Sequence, residues 1–141
     1  MKQMMVSQFY CFVLVLLIVF DLSSSSTLTS NNFAKHHVRI INNLNNKLLN
    51  YHCKSGDDDL GIRTLQPKGE WEFSFRLHWI ASTLFYCYFW YDNFYAAFDV
   101  YSAYLAKVCG GNNYYWTVQE DGFYLYNTYL NTNWKIHDWS K

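Results

Sequence analysis

The sequence lacks an excess of either charge. It has 11 Lys and Arg residues against 11 Asp and Glu residues, which gives a formal net charge of zero. Nucleic-acid binding requires a concentrated basic face, and electrostatic binding to anionic lipid requires clustered Lys and Arg side chains. The composition therefore argues against a nucleic-acid partner and against attachment to a charged membrane surface.

The motifs of common enzyme and metal sites are also missing. The sequence has no Gly-x-Ser-x-Gly motif, no glycine-rich phosphate loop, and no pair of histidines at the i, i+4 spacing of a helical zinc site. Cys53 with His52 or His78 is similar to a thiol-protease pair, but a secreted cysteine near the end of a strand is more often bridged. We therefore expect no enzymatic activity, no cofactor and no metal site.

Long apolar runs are absent except at the N-terminus. A single lysine, Lys2, precedes an apolar run from Phe9 to Phe20, and a serine-rich stretch follows. This order is typical of a secretory signal peptide, and the run is shorter than the ~20 apolar residues that span a bilayer. We expect residues 1–26 to be the signal peptide, with cleavage between Ser23 and Ser30. The mature protein is then extracellular and not bound to a membrane.

Cysteine is scarce for a small secreted domain. Loss of the leader removes Cys11 and leaves Cys53, Cys87 and Cys109. Three thiols in an oxidising compartment allow one internal disulfide and leave one cysteine over. Aromatic residues make up 21% of the chain. We expect buried Tyr, Phe and Trp rings to supply much of the stability, because few covalent links are available.

After the leader, the sequence pattern is β almost throughout. Residues 27–37 have no apolar period and predict a flexible N-terminal arm, and residues 38–141 are expected to form one domain. We predict an all-β fold, a small antiparallel β-sandwich of about seven to eight strands. Runs of alternating or continuous apolar residues predict these strands at 38–44, 47–53, 71–78, 83–91, 94–101, 114–119, 123–127 and, in the tail, 133–139.

Turn residues separate the predicted strands. Asn45-Asn46, Asp92-Asn93 and Asp121-Gly122 each favour a tight hairpin, because Asn, Asp and Gly tolerate positive φ. Pro67-Lys68-Gly69 predicts a turn ahead of the strand that follows it. The run at 83–91 is apolar or aromatic on both faces, which is typical of a central strand. No segment has a convincing 3.6-residue amphipathic period.

The stretch "HCKSGDDDLG" at 52–61 contains three adjacent aspartates, Asp57, Asp58 and Asp59. Their side chains point in different directions in an extended chain, and their spacing does not match a calcium-binding loop. Three neighbouring acids on a loop also supply no apolar wall to raise one carboxyl pKa for glycoside cleavage. We interpret the stretch as an exposed acidic loop that a partner recognises, with a plain solvated turn as the alternative.

The aromatic residues allow two interpretations. Tyr86, Tyr88 and Trp90, or Tyr95 and Tyr101, can form a platform that stacks on sugar rings, or they can pack as core and cross-strand pairs. The small size of the domain favours the core, because little else is available to pack.

Five stretches together resemble the plant self-incompatibility S-protein family, whose members are also called S-protein homologues. They are the opening "VRIINNL", then "HCKSGDDDLG", "GEWEFSF", "TLFYCYFWY" and the late "WTVQEDG". The resemblance spans about residues 38–139, and the motifs are specific in combination. It implies a small secreted β-sandwich that acts as a ligand and not as an enzyme.

The resemblance also implies a function in recognition. Some members of the family are pistil-side determinants that inhibit incompatible pollen through a receptor on the pollen. We therefore expect a monomeric ligand for a cell-surface receptor in cell–cell signalling. By resemblance, the acidic loop is one of the hydrophilic inter-strand loops in which specificity lies. Its candidate receptor-contact residues are Lys54, Ser55, Asp57, Asp58 and Asp59.

The cysteine pattern departs from that of the family. Members usually carry four cysteines, the last of them two residues before the late tryptophan, and here Tyr114 stands two residues before Trp116. One family disulfide is therefore expected to be missing. By this resemblance we expect Cys53 to pair with Cys87 and Cys109 to be unpaired.

The aromatic composition supports an alternative function. A secreted aromatic-rich module can bind cell-wall glycan or peptide through exposed Tyr and Trp side chains, with a role in defence. The acidic loop and the aromatic residues therefore predict two different binding surfaces.

The leader predicts a processed N-terminus. Protein collected from the medium of expressing plant cells should begin between Ser23 and Ser30, because signal peptidase removes the apolar run with its basic start. Intact-mass measurement and N-terminal sequencing test this, and a secreted chain that still begins at residue 1 would contradict it.

Overall fold

The computed structural model describes residues 34–77 and 83–141 of the chain. This part contains nine strands and one helix, α1 (Ala103–Cys109), which lies between β6 and β7. The strands are β1 (Lys35–Asn42), β2 (Leu49–Lys54), β3 (Asp59–Leu65), β4 (Glu70–Arg76), β5 (Phe85–Tyr91), β6 (Phe94–Tyr101), β7 (Asn113–Gln119), β8 (Gly122–Asn127) and β9 (Thr132–His137).

The strands form two sheets. The five-stranded sheet has the order β4-β1-β7-β8-β9, and the four-stranded sheet has the order β3-β2-β5-β6. Neighbouring strands are antiparallel except β1 and β7, which are parallel. The predicted all-β sandwich is confirmed, with nine strands in the described residues instead of seven or eight, and with one parallel pair that the sequence did not predict.

Aromatic rings fill the space between the two sheets. Phe89 of β5 and Phe123 of β8 have ring centroids 5.0 Å apart, and Tyr51 of β2 lies 5.3 Å from Trp71 of β4. The expected aromatic core is therefore confirmed. Half of the twelve largest fully buried side chains are aromatic, namely Trp116, Tyr51, Tyr101, Tyr114, Phe89 and Phe123.

Two of the three predicted hairpins are confirmed, and one is wrong. The β5–β6 and β7–β8 pairs are hairpins that turn at Asp92-Asn93 and just before Gly122. The segment around Asn45-Asn46 instead carries the chain from one sheet to the other. Both edges of β1 are already occupied, by β4 and β7, so no hydrogen-bonding edge is left for β2.

The crossing from β1 to β2 is held by Asn42. This side chain is fully buried, and its Nδ2 group donates to the carbonyl oxygens of Lys47, Leu65 and Gln66 at 2.8, 3.1 and 3.1 Å. Its Oδ1 atom accepts from the Leu44 amide at 3.0 Å. The Asn42 amide therefore fixes both the β1–β2 connection, through Lys47, and the β3–β4 connection, through Leu65 and Gln66. Without it these backbone carbonyls would lose a hydrogen-bond partner, which is costly in a protein interior.

Two elements are missing from the sequence prediction. Strand β3 is an edge strand, and four consecutive residues from Gly61 to Thr64 are exposed, so the alternation that marks a half-buried strand is absent. Helix α1 has only seven residues, of which Cys109 alone is buried. Its start is set locally, because the Ser102 hydroxyl caps the Leu105 amide at 3.3 Å.

Two boundaries and one face also differ from the prediction. Strand β1 begins at Lys35, so the last residues of the predicted arm at 27–37 are strand. The predicted strand at 71–78 ends at Arg76. Strand β5 is interior in its sheet but not buried on both faces, since Tyr88 is 47% exposed. The predicted signal peptide at 1–26 and His78 lie outside the described residues.

The three cysteines among the described residues are all buried. Cys53 of β2 and Cys87 of β5 are directly opposite each other in the register and form a disulfide. Cys109 is buried and free. Tyr114, at the position where the resemblance implied a cysteine, is fully buried and packs edge-on against Tyr101 with centroids 5.0 Å apart.

One histidine of the predicted arm is in the core. His36 is only 6% exposed and lies between the rings of Phe75, Tyr101 and Tyr114, at centroid distances of 5.8, 5.5 and 6.2 Å. Its Nδ1 atom is buried and has no hydrogen-bond partner in the described structure. Burial, with a smaller contribution from His37, lowers the pKa of His36 below its ordinary value of 6.5.

Acid should destabilise the fold through His36. Because its pKa is lower in the folded than in the unfolded chain, the unfolded chain takes up more protons, and the free energy of unfolding falls as pH drops below 6.5. One such proton contributes a slope of at most about 1.4 kcal/mol per pH unit. Urea unfolding of wild type and His36→Phe between pH 7.5 and pH 5 should show a shallower slope in the variant; equal slopes would contradict this account.

The disulfide and the free cysteine should differ in their contribution to stability. Replacing both Cys53 and Cys87 by alanine should lower the free energy of unfolding by about 2–5 kcal/mol, the usual range for a small secreted domain. Cys109→Ala removes one buried sulfur and should cost about 1 kcal/mol. Denaturant unfolding followed by Trp fluorescence measures both. Peptide mapping of unreduced protein is the control, and a linkage through Cys109 would overturn the pairing.

Candidate functional site

The acidic loop joins β2 to β3 at one edge of the four-stranded sheet. β2 ends at Lys54 and β3 begins at Asp59, so Asp59 is the first residue of a strand and not part of the loop. The ladder between β2 and β3 shifts register between His52 and Lys54. Such a bulge locally bends a strand and redirects the side chains that follow it.

The loop is closed by its own hydrogen bonds. The Ser55 amide donates to the Asp58 carbonyl at 2.8 Å. The Ser55 hydroxyl oxygen accepts from the amides of Asp58 at 3.0 Å and Asp57 at 3.3 Å. A serine that satisfies two backbone amides in this way fixes a compact turn, so Ser55 is a structural residue of the loop.

Asp59 is bound within the protein. Its Oδ1 atom lies 2.6 Å from His52 Nε2 and accepts from the Gly61 amide at 2.9 Å, and Lys54 Nζ lies 3.9 Å from Oδ2. The hydrogen bond to His52 is the main reason that the pKa of Asp59 is held below its ordinary value of 3.8. Gly61 has φ of 79°, a conformation that strains other residues, so glycine is required directly after this contact.

Asp57 and Asp58 differ from Asp59. Both residues are exposed, and their carboxylates make no hydrogen bond or ion pair with any residue that the structure describes. The five predicted contact residues therefore have different environments. Lys54 and Asp59 face each other, Ser55 shapes the turn, and Asp57 and Asp58 present two uncompensated negative charges to solvent.

The disulfide between Cys53 and Cys87 restrains the base of the acidic loop. Cys53 lies two residues before Ser55 and is bonded to Cys87 of the neighbouring strand. Lys54 lies opposite Tyr86 in the same ladder. The loop is therefore anchored to the interior strand of its sheet, and its position does not depend only on the short pairing with the edge strand β3.

The described residues offer few groups for catalysis by an activated thiol or a bound metal ion. Cys53 is oxidised in the disulfide, and burial raises the pKa of the Cys109 thiol, which disfavours the thiolate. Within the described ranges, His, Cys, Asp and Glu side chains do not gather in groups of three or more that can hold a metal ion. Over residues 34–77 and 83–141, no helix has the length and apolar content needed to cross a bilayer.

The aromatic residues that the sequence analysis singled out separate into two groups. Tyr101 is a core residue, 1% exposed. Tyr86, Tyr88 and Trp90 lie on the outer face of β5, where the inner face is formed by fully or nearly buried residues, and Tyr95 of β6 is 56% exposed. The core interpretation that the small domain size favoured holds for Tyr101 and is wrong for Tyr88 and Tyr95. Because the run at 83–91 is apolar or aromatic on both faces, the sequence did not show which of its residues face outward or which strands flank them.

Polar residues next to this row were missed. Asn50 and His52 of β2 lie opposite Trp90 and Tyr88, although about 40 residues separate them in the chain. One observation could have placed them. The expected Cys53–Cys87 bond joins directly opposite residues, so a register counted from it brings His52 to Tyr88 and Asn50 to Trp90.

The chain is similar to known plant proteins. The family model described as plant self-incompatibility protein S1 matches residues 37–139. S-protein homolog 3 of Arabidopsis thaliana is 42% identical over 103 residues, which cover 72% of this chain and 69% of that protein. S-protein homolog 2 of Arabidopsis thaliana is 47% identical over 81 residues, which cover 57% of this chain but only 49% of that protein.

A solved structure supports the same fold. It belongs to the SPH (Self-Incompatibility Protein Homologue) proteins, described as a widespread family of small, highly stable, secreted proteins from plants. The TM-score is 0.60 with 21% sequence identity, and the match covers 77% of this chain and 97% of the solved chain. The sequence motifs, the two-sheet sandwich and the family match agree, and the chain belongs to the plant self-incompatibility protein S1 family.

Proposed function

We propose that this protein is a secreted, non-enzymatic ligand that binds a cell-surface receptor on plant cells through its acidic loop. Membership of the family supports the proposal, as does the description of the related solved structure as a small secreted plant protein. The mechanism is binding alone, without a covalent step. Recognition between pollen and pistil is the setting that the family description suggests, so pollen is the first cell type to test.

The main observation behind the proposal is that the two carboxylates of Asp57 and Asp58, unpaired among the described residues, project from a turn whose backbone is fixed. Asp57 and Asp58 are exposed and have no partner in the described chain, while the turn below them is closed by Ser55. The neighbouring disulfide fixes the base of the loop. A backbone turn that is already ordered loses little conformational entropy on binding, which favours affinity and specificity for the charges that it presents.

The chemistry of the loop indicates the chemistry of the receptor. Two adjacent carboxylates that have no partner in the described part of the chain are matched by Arg or Lys side chains, which make charge-assisted hydrogen bonds to carboxylate oxygens. Exposed charges of this kind act mainly on the rate of association and are screened by salt. The receptor surface is therefore basic, and binding is expected to weaken as ionic strength rises.

Removing the two charges should weaken binding to cells and leave the fold intact. Fluorescently labelled mature protein should bind saturably to pollen and be displaced by unlabelled protein, whereas Asp57→Asn/Asp58→Asn should bind about tenfold or more weakly, as for loss of central interface contacts. Leaf protoplasts provide the comparison cell surface. Circular dichroism and the urea midpoint should not change, because neither carboxylate contacts another described residue.

The matched control places the same charge change elsewhere. Asp121 lies in the β7–β8 turn and Asp138 follows β9, and the strand directions place both at the end of the sandwich opposite the loop. Their carboxylates are bound, Asp121 by the Tyr124 hydroxyl and Asp138 by Lys135, so circular dichroism and the urea midpoint of this variant are measured as well. Asp121→Asn/Asp138→Asn should keep wild-type binding. Asp59→Asn should change the loop itself, because it weakens the contact with His52. Equal pollen binding by wild type and Asp57→Asn/Asp58→Asn would show that the loop does not contact the receptor. Equal losses of binding in both double variants, with the fold retained, would show that only the net charge of the protein matters.

A further inference from the structure

The outer face of the four-stranded sheet carries a second candidate surface, distinct from the acidic loop. We call it the outer platform, formed by Tyr86, Tyr88 and Trp90 of β5 and Tyr95 of β6. Tyr88 and Tyr95 are 47% and 56% exposed, which is high for rings on a strand of a domain with an aromatic core. Side chains on one face of an interior strand form a row, so the three β5 rings span roughly 13 Å along the strand.

The register places polar side chains on one side of the rings. Trp90 lies between Asn50 of β2 and Tyr95 of β6, and Asn50 in turn lies opposite Thr64 of β3. The Thr64 hydroxyl donates to Asn50 Oδ1 at 2.8 Å, which leaves the Nδ2 group of Asn50 without a partner among the described residues. An aromatic surface is therefore bordered by a neutral amide and a hydroxyl.

The cross-strand row through Tyr88 likewise combines an aromatic ring with side chains that carry no unpaired charge. Tyr88 lies between His52 of β2 and Ala97 of β6. The Nε2 atom of His52 is held by Asp59 at 2.6 Å, so this imidazole is already paired, and the small Ala97 side chain leaves one flank of the Tyr88 ring open. Charged side chains on this face occur beside Tyr86, where Lys54 lies 3.9 Å from Asp59 and Asp99 is opposite the ring. The two rows at Trp90 and Tyr88 thus carry no unpaired charge.

The position of the rings argues against an extended peptide as the occupant. Peptides that bind sheets usually add a strand at an open edge and use backbone hydrogen bonds. Strand β5 has no open edge, because β2 pairs with one side and β6 with the other. The platform offers aromatic rings, of which Tyr86 and Tyr88 meet edge to face with centroids 5.8 Å apart, and side-chain donors and acceptors. It offers no strand edge to a peptide backbone.

We propose that the outer platform binds an extended, neutral, β-1,4-linked polysaccharide chain that lies along β5. The apolar C–H face of a pyranose ring packs on the negative face of an aromatic ring, as other aromatic contacts do. Its equatorial hydroxyl groups are both donors and acceptors, and they meet the free amide of Asn50 and the hydroxyl of Thr64 at the border. A row of rings along one extended strand suits an extended chain and does not suit a helical α-linked chain. This inference is independent of the acidic loop and of any receptor.

Depletion from solution by polysaccharides tests the proposal. The mature protein should be retained by at least one of microcrystalline cellulose, glucomannan and xylan, and not by starch. Raising the salt concentration should not weaken retention, because the rows at Trp90 and Tyr88 present no unpaired charge among the described residues. Tyr88→Ala and Tyr95→Ala should each bind about tenfold or more weakly, since each removes a central exposed ring.

Two matched controls separate this surface from the rest of the molecule. Tyr104→Ala removes a ring that is 72% exposed on α1 and not on a strand of the four-stranded sheet, and it should bind polysaccharide as wild type does. Asp57→Asn/Asp58→Asn should also keep full polysaccharide binding, whatever its effect on pollen binding. Circular dichroism and the urea midpoint of each variant show that the fold is retained.

Several outcomes would overturn the proposal. No retention by any of the three neutral polysaccharides would do so, and so would undiminished retention of both Tyr88→Ala and Tyr95→Ala. Retention only by polygalacturonic acid, with loss at high salt, would show a charge-driven contact instead. Binding to plant cell walls that protease treatment abolishes would show that the occupant is a protein.

Discussion

Ring-to-ring contact between the two sheets is the interaction on which the rest of this structure depends. Phe98 of β6 packs against Trp116 of β7 at 5.0 Å and Phe123 of β8 at 4.7 Å, and Phe75 of β4 packs against Phe85 of β5 at 4.6 Å. Each contact joins one sheet to the other, and such rings bury large apolar areas. A thin sandwich with one disulfide can therefore hold its outer faces and its loops in fixed positions.

Polar groups buried in or beside this core need hydrogen-bond partners within the protein. Trp116 is fully buried and donates from Nε1 to the Val100 carbonyl at 3.0 Å, and Asn42 satisfies its whole amide group on backbone atoms. His36 is the exception, because its Nδ1 atom has no described partner. A neutral, unpaired imidazole in an aromatic core is tolerated only while it stays uncharged, which links the stability of the fold to pH.

Two surfaces follow from this core, and they have different chemistry. The acidic loop presents Asp57 and Asp58 at an end of the sandwich, where connecting segments vary without disturbing the sheets. The outer platform presents rings on the face of β5, an interior strand whose backbone is paired on both sides, and on the neighbouring strand β6. One suits a charged protein partner and the other a neutral, elongated ligand, and the disulfide between β2 and β5 lies beneath both.

The sequence by itself determined the fold class, the aromatic core and the place of the acidic loop. Alternation in β4 and β6 and the turn residues of two hairpins are local properties, which is why they could be read directly. It did not reveal β3, because an exposed edge strand needs no apolar period, nor α1, because a helix of seven residues with one buried side chain has no amphipathic face.

Only the tertiary structure decided which strands are neighbours. The Asn45-Asn46 turn has hairpin chemistry, yet it joins different sheets because β4 and β7 occupy both edges of β1. Tertiary pairing likewise brought Asn50 and His52 beside Trp90 and Tyr88 and bound Asp59 to His52. It left the carboxylates of Asp57 and Asp58 without partners among residues 34–77 and 83–141. Local sequence fixes the direction of each side chain along a strand, but contacts across strands depend on register between distant segments.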